Sequence, residues 1–388
     1  MDRAILHLDL DSFFVSVERL KNSKLVGVPL IIGGSSNRGV VASCSYETRA
    51  FGVRSAMPMR LAKRLCPDAI VISGDMESYS KHSQLVTDVI AERAPVYEKA
   101  SIDEFYLDLS GMDKYFGSYK WATEMRQRIM KETGLPISMA MAVNKLVSKM
   151  GTGEAKPNGQ LEIPTGTEKP FIAPMPVDKI PMVGEKTASA LSNMGVKTIK
   201  TLREVPKVLL EREFGKNGLV LSDKANAIDA TPVEPYHEQK SLSAERTFHE
   251  DTTDVKFLHS VLSKLTEGLA FDLRKLGRLT ACVTVKIRYT DFNTMTRQKS
   301  LSYTANDTQL LQTAREIFDL LYDRRQLIRL IGVRFSHLVQ GSPQISLFDD
   351  TQEAVNLCLA MDKIRNKYGS KAVLRAVGMS GKQLAVNN

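Results

Sequence analysis

The chain of 388 residues is long for one domain and suggests two to four. Its hydrophobic fraction, 43%, is ordinary for a globular protein, and apolar runs such as VPLII are far too short to cross a bilayer, so no membrane is expected. The formal net charge of +9 suits a polyanionic partner, although on charge alone a merely basic surface weighs equally.

Residues 1–11 read as a strand that begins almost at once, with no charged-then-apolar leader. Alternation puts Ile5, His7, Asp9 and Asp11 on one face and Leu6, Leu8 and Leu10 on the other. Residues 12–23 follow as a short helix with Phe13, Val17 and Leu20 on one side. VPLIIGG reads as a buried strand, GVVASCSYETRAFGV as a strand running into a helix, and MPMRLAKRLCP as a helix stopped by Pro67. AIVISGD is another strand, 78–93 an amphipathic helix, and YEKASIDEFYLDLSG a strand–turn–strand. Residues 118–133 are helical, PISMAMAV is a strand, and NKLVSKMGTGEAKPNG is a helix giving way to a loop. This much is an α/β region ending near residue 165.

Residues 166–232 change character, with short helices and no clear strands. TPVEPYHEQK (231–240) carries two prolines and mixed charge and reads as a linker. Beyond it come strand (241–248), helix (254–277), two strands (280–290 and 294–304), helix (308–322) and strand (328–340). That βαββαβ order suggests a small sheet covered on one face by two helices. In CVTVKIRY, alternation turns Val283, Val285, Ile287 and Tyr289 to the helices and Thr284, Lys286 and Arg288 to the open side, which Arg334 can join. Near the C-terminus, Leu357, Met361, Ile364 and Tyr368 form a helical stripe expected to dock on the body.

Two acidic sites interrupt otherwise apolar strands, LDLD and SIDEFYLDL. A lone Asp-Glu pair is commonly a polar turn, but aspartate is seldom buried without a partner, and here two such sites recur. Three carboxylates at strand ends, one from LDLD together with Asp103 and Glu104, can neutralise one or two Mg2+ ions. Asp103 and Glu104 would point to opposite faces of a regular strand, so both reach one site only if the backbone bends there. Cys44, Cys66, Cys282 and Cys358 are scattered, which argues for a reducing cytoplasm and against a disulfide framework. With no ligand spacing among cysteines or histidines, a catalytic metal would be a hard, oxygen-bound one. A bulky ring directly after LDLD can lie against a nucleotide sugar and clash with a 2′-hydroxyl; of Phe13 and Phe14, one is expected in the core.

LDLDSFFVSVE, SYETRAFGVRSAMP, SIDEFYLDLS and AKPNG, in this order and at these separations, resemble the Y-family DNA polymerases, above all their bacterial DNA polymerase IV branch. The resemblance covers nearly the whole chain. It implies an α/β multidomain, right-hand polymerase fold: palm (1–11 and 75–165), fingers (12–74), and a helical thumb with a helix-hairpin-helix (166–232). A linker (233–241), a βαββαβ little finger (242–341) and a C-terminal tail (342–388) would follow. On the matching positions it implies Asp9, Asp103 and Glu104 as catalytic, metal-binding carboxylates, with the Leu10 carbonyl as a further ligand and Asp11 in support. Two Mg2+ ions would serve, with Mn2+ as a substitute. Phe14 matches the steric gate, Phe13 a neighbour of the nucleotide, and Tyr46, Arg49 and Lys156 the residues that hold the triphosphate, with Ser43 beside them. Ala42, Ser55 and Ala56 match a roof over the new base pair; small side chains there discriminate weakly.

The chemistry agrees independently, since a triphosphate needs cations, and Arg49 offers a planar fork and Lys156 a point charge. IPMVGEKTASAL resembles a helix-hairpin-helix in which Gly184 permits the hairpin and Lys186 adds charge for a DNA phosphate. EREFGKNGL is a weaker second candidate. Lys286, Arg288 and Arg334 suit a DNA groove. QISLF, with Gln344, Leu347 and Phe348, resembles a bacterial sliding-clamp-binding peptide, although here it lies well before the C-terminus. The expectation is a monomeric, template-directed, low-fidelity translesion polymerase using primer–template DNA and dNTPs, with no chain length left for a proofreading nuclease. A partner-dependent subunit like DNA polymerase V is the nearest rival. A palm-type nucleotidyl cyclase and a non-catalytic DNA-binding scaffold are rivals of other classes.

Overall fold

The computed structural model describes residues 3–34, 36, 38–112, 117–236, 238–322, 326–341, 351–369 and 372–373. The chain divides into two compact units, Met1–His237 and Glu238–Asn388. In the first, β1 (Ile5–Leu10) leads into α1 (Phe13–Lys21), β2 (Leu30–Gly33), β3 (Val41–Cys44), α2 (Tyr46–Ala50), α3 (Met59–Leu65), β4 (Ile70–Ile72) and α4 (Met76–Ala91). Next come β5 (Tyr97–Lys99), β6 (Glu104–Asp108), α5 (Ser118–Thr133), β7 (Ile137–Ala142), α6 (Lys145–Ala155) and β8 (Gln160–Glu162). The unit ends in short helices: α7 (Glu168–Ile172), α8 (Glu185–Asn193), α9 (Ile199–Glu204), α10 (Lys207–Phe214) and α11 (Lys216–Ala225).

β1 is the centre of a five-stranded sheet, β5-β6-β1-β7-β8, and runs antiparallel to both neighbours. Both of its faces are covered. Leu6, Leu8 and Leu10 enter a core with Phe13, Tyr79, Phe105 and Ile129, each such burial worth about 1.5–3 kcal/mol. Ile5, His7 and Asp9 lie on the other face, which α6 covers. α6 comes down close because Gly151 carries no side chain: a Cβ there would stand 2.9 Å from the Ala140 methyl and 2.6 Å from Ile163. A smaller sheet, β3-β2-β4, has its own core of Ile31, Val41, Val53, Met59 and Ala62.

The helical end of the unit packs Ile172, Ile180, Leu191, Ile199, Leu202 and Leu210 together. Its hairpin departs from expectation in one respect. Gly184 caps α8 in extended backbone (φ −85°), and the left-handed residue of the turn is Met182, with φ 75°.

The second unit comprises β9 (Ser241–Thr252), α12 (Val255–Lys275), β10 (Arg278–Tyr289), β11 (Thr294–Thr304), α13 (Asp307–Leu321), β12 (Ile328–Gln340) and α14 (Thr351–Tyr368). The sheet is antiparallel, in the order β11-β10-β12-β9. Val283, Val285, Ile287 and Tyr289 join Leu262, Leu269 and Phe318 of α12 and α13 in one core. The stripe expected to dock α14 is the wrong one. Leu357, Ile364 and Tyr368 are exposed and Met361 is half-buried, while Cys358, Asp362 and Arg365 are buried. Complementary charge decides this docking face. Arg274, in the last turn of α12, holds Asp362 at 2.6 and 2.8 Å and Asp307 at 2.5 Å, and Arg365 reaches Glu267 at 3.4 Å.

Candidate active site

The first acidic site is built where β1 ends. Asp9 sits opposite Glu104 on β6 and opposite Ser138 on β7. The chain then turns sharply through Ser12, whose φ is 44°, into α1. A cleft of about 150 Å3 opens at this point. Asp9, Leu10, Ser12, Phe13 and Phe14 line it from β1 and α1, and Asp103 and Lys156 from beside the sheet. Ala42, Ser43, Arg49 and Ser55 close it from the smaller sheet and its loops. Because the Leu10 side chain is buried in the core, what it offers the cleft is main chain.

The turn before β6 separates the adjacent acids. Ser101 donates to the Asp103 carboxylate at 2.6 Å and accepts from the Glu104 amide at 3.0 Å, so Asp103 lies in the bend and Glu104 opens the strand. Glu104 is not among the cleft-lining residues. Its two oxygens accept from Lys149 of α6 at 2.8 and 2.7 Å. Asp9 accepts from Lys156 at 2.5 Å. Burial, offset by Lys156 and reinforced by Glu104 and Asp103, pushes the Asp9 carboxyl up to about 7.

Asp11 is buried and tightly held. It accepts from Ser138 at 3.0 and 2.8 Å, from the Tyr46 hydroxyl at 3.1 Å and from the Asn158 amide at 2.7 Å. Tyr46 therefore faces Asp11 rather than the cleft, and Arg49 lies over the Tyr46 ring, 4.6 Å from its centroid. Burial, first, and the Asp11 charge raise the proton affinity of the Tyr46 hydroxyl, which keeps it a donor. Ala56, next to Ser55, has φ 66° and does not line the cleft. Phe13 is buried in the core, and Phe14, half-buried, stacks on Tyr79 at 4.3 Å between centroids.

The carboxylates that line the cleft, Asp9 and Asp103, are of the type that suits a hard divalent cation. The arrangement is nonetheless divided: among the described residues no group of three or more His, Cys, Asp or Glu side chains stands close enough to hold a metal ion.

Away from the cleft, Gly184 and Lys186 are exposed at the start of α8. In the second unit, Lys286 pairs with Glu245 at 2.7 Å, Arg288 donates to Thr294 at 2.8 Å, and Arg334 is exposed on the same open face. Gln344, Leu347 and Phe348 lie outside the described residues. Sequence reasoning missed Lys149 and Tyr79. Lys145, Lys149 and Lys156 recur at helical spacing, a signal that was there to find; Tyr79 behind Phe14 had no local signal. No helix among the described residues is long and apolar enough to cross a membrane.

The sequence profile of the impB/mucB/samB family matches residues 8–153, and that of the family's C-terminal domain matches residues 239–347. The chain is 39% identical over 375 residues to a DNA polymerase IV of Dehalococcoides mccartyi, covering 96% of each chain. It is 35% identical over 379 residues to the DNA polymerase IV of Desulfatibacillum aliphaticivorans, again covering 96% of each. Among solved structures, a Y-family DNA polymerase chimera superposes with a TM-score of 0.76 at 26% identity, over 87% of this chain and 100% of that one. The insertion ternary complex of Dbh DNA polymerase gives a TM-score of 0.63 at the same identity and coverage. Matched by both family profiles and by these relatives over almost its whole length, the chain belongs to the impB/mucB/samB family and is a Y-family DNA polymerase.

Proposed function

We propose that the cleft at the end of β1 adds deoxynucleotides to a primer 3′-hydroxyl opposite a template, in low-fidelity synthesis that tolerates damaged bases. The observation that carries this reading is one cleft lined together by Asp9, Asp103, Arg49, Lys156 and Phe14. The first unit then divides into palm (1–11 and 75–165), fingers (12–74) and thumb (166–232); the second holds the little finger (242–341).

Asp9, Asp103, Glu104 and the Leu10 carbonyl would hold two Mg2+ ions, which when bound supply Lewis-acid activation of the attacking oxygen and stabilisation of the leaving one. The rest falls to the chain's own groups. Arg49 and Lys156 bind the triphosphate, with Ser43 on the same wall, and Tyr46 positions Arg49 through its ring. Asp11 fixes the turn that carries Leu10 and Phe14. Phe14 excludes a 2′-hydroxyl. Ala42 and Ser55, with Ala56 beside them, make a roof too small to enforce base-pair shape.

Gly184 and Lys186 would contact DNA phosphate, as would the open face bearing Lys286, Arg288 and Arg334. The clamp-binding reading of Gln344, Leu347 and Phe348 rests on the sequence QISLF. Four buried free thiols, Cys44, Cys66, Cys282 and Cys358, support a reducing, cytoplasmic setting.

Primer extension by the purified chain, with four dNTPs and Mg2+, tests the reading. Extension by wild type and loss in Glu104→Ala is the expected result. Silence from both, persisting when clamp and accessory proteins are added, would overturn it.

A further inference from the structure

We propose that Lys149 is a latch on Glu104, holding that carboxylate out of the cleft so that the divalent-cation site assembles only with nucleotide and DNA. The inference rests on the reading of Asp9, Asp103 and Glu104 as the cation-holding carboxylates. Asp9 and Glu104 are direct register partners on adjacent antiparallel strands, so the sheet by itself delivers both side chains to one place. What separates them is α6. Lys149 takes both oxygens of Glu104, while Lys156, just past the end of the helix, takes Asp9.

The other lysine of α6 shows what a permanent pair looks like. Lys145 binds both oxygens of Glu98 at 2.8 and 2.7 Å, with side-chain exposures of only 13% and 7%, and also lies over the Tyr106 ring. Glu98 further accepts from the Glu234 amide. The Lys149–Glu104 pair is different. Its side chains are 35% and 23% exposed, and Lys149 has no other hydrogen-bond partner among the described residues. A partly solvated, single-partner ion pair is weak and opens readily. It is therefore suited to exchange, whereas Lys145–Glu98 is suited to stay.

The direction of the effect follows from charge. A divalent cation entering alone must take Glu104 from Lys149 and then share the space with two ammonium groups. A bound triphosphate reverses the balance, since it draws Lys156 toward its phosphates and adds negative charge beside the carboxylates. Lys149 is thus a positioning residue that acts through Glu104, and it makes cation loading conditional on substrate.

The test is Mn2+ binding to the full chain, read from the paramagnetic resonance of free Mn2+ without DNA or nucleotide. Lys149→Met is expected to bind Mn2+ about tenfold more tightly than wild type, and Lys149→Arg to match wild type. With primer–template and a non-hydrolysable dNTP present, the gain should shrink to less than about threefold. Lys149→Gln, checked by circular dichroism, serves if the methionine variant folds poorly. Unchanged or weaker binding by both neutral variants without ligands would overturn the latch while leaving the site intact. If wild type with DNA and nucleotide shows no binding that Asp9→Asn and Glu104→Gln abolish, the carboxylate reading itself fails and the latch with it.

Discussion

Phe14 lies flat on Tyr79, with centroids 4.3 Å apart and planes 11° from parallel, and Tyr79 is completely buried. The Tyr79 hydroxyl donates to Glu18 at 2.8 Å, so α4 and α1 grip the ring from both ends. Phe14 therefore meets the cleft as a backed wall with little freedom to swing away. Phe14→Ala should lower the dNTP-over-rNTP ratio of kcat/KM by about a hundredfold or more, and Tyr79→Leu by about tenfold with little change for dNTP. Single-nucleotide insertion kinetics with each sugar would measure both, and an unchanged ratio in Phe14→Ala would remove the gate assignment.

Much of this geometry was legible in the sequence because it is periodic or local. The alternation of LDLD marked one face of β1 as core and the other as acidic, and apolar spacing placed the helices within a few residues. What escaped was decided by partners far along the chain. Glu104 meets Lys149 because Gly151 lets α6 settle on the sheet, and no pattern around SIDEF carries that. α14 docks by Asp362 and Arg365 because the facing surface is charged; periodicity alone ranks the apolar stripe higher. Periodicity says which side of an element is apolar, not what chemistry waits opposite it.

His7 is fully buried beside Tyr106, and neither ring nitrogen meets a hydrogen-bond partner among the described residues. Burial, with Lys149, Lys156 and Lys145 adding to it, holds its proton affinity well below the usual 6.5. The unfolded chain takes up this proton near pH 6.5 and the native one does not, so stability should fall as pH drops below 6.5. The loss amounts to about 1.4 kcal/mol per pH unit and stops only at the native value. His7→Leu should be neutral or stabilising at pH 8 and should lack this component. Urea titrations from pH 8 to 4.5 compare the two chains; parallel curves would contradict a neutral, buried His7.

Arg365 is the keystone of α14. Its side chain is 3% exposed, 3.4 Å from Glu267, itself 4% exposed, and 4.0 Å from Asp307, which is fully buried. Arg365→Met takes a buried guanidinium from beside Glu267, while Asp307 keeps Arg274 at 2.5 Å, and should cost about 1–3 kcal/mol, seen as loss of amide hydrogen-exchange protection in α12 and α13. Leu357→Ala and Ile364→Ala, on the exposed side, should each stay within about 0.5 kcal/mol. The reverse ranking would restore the apolar stripe as the docking face.

On the open face of the second sheet, Gly332 sits between Glu245 and Lys286 in register, and a side chain there would collide with Glu245, 2.8 Å away. That gap lets Glu245 reach across to Lys286 and neutralise it. Arg334, paired with Thr284 in register, has no ion-pair partner among the described residues. If this face follows the DNA backbone, the three substitutions separate cleanly. Arg334→Ala should weaken binding and flatten the plot of log K against log salt by about one unit, because one phosphate contact is lost. Lys286→Ala should change the slope by less than half as much, its charge being already committed. Glu245→Gln should steepen the slope by about the same unit, since it frees Lys286 for a phosphate. Fluorescence anisotropy of a labelled primer–template from low to moderate salt measures all three, and a slope unmoved by both Arg334→Ala and Glu245→Gln would take the DNA off this face.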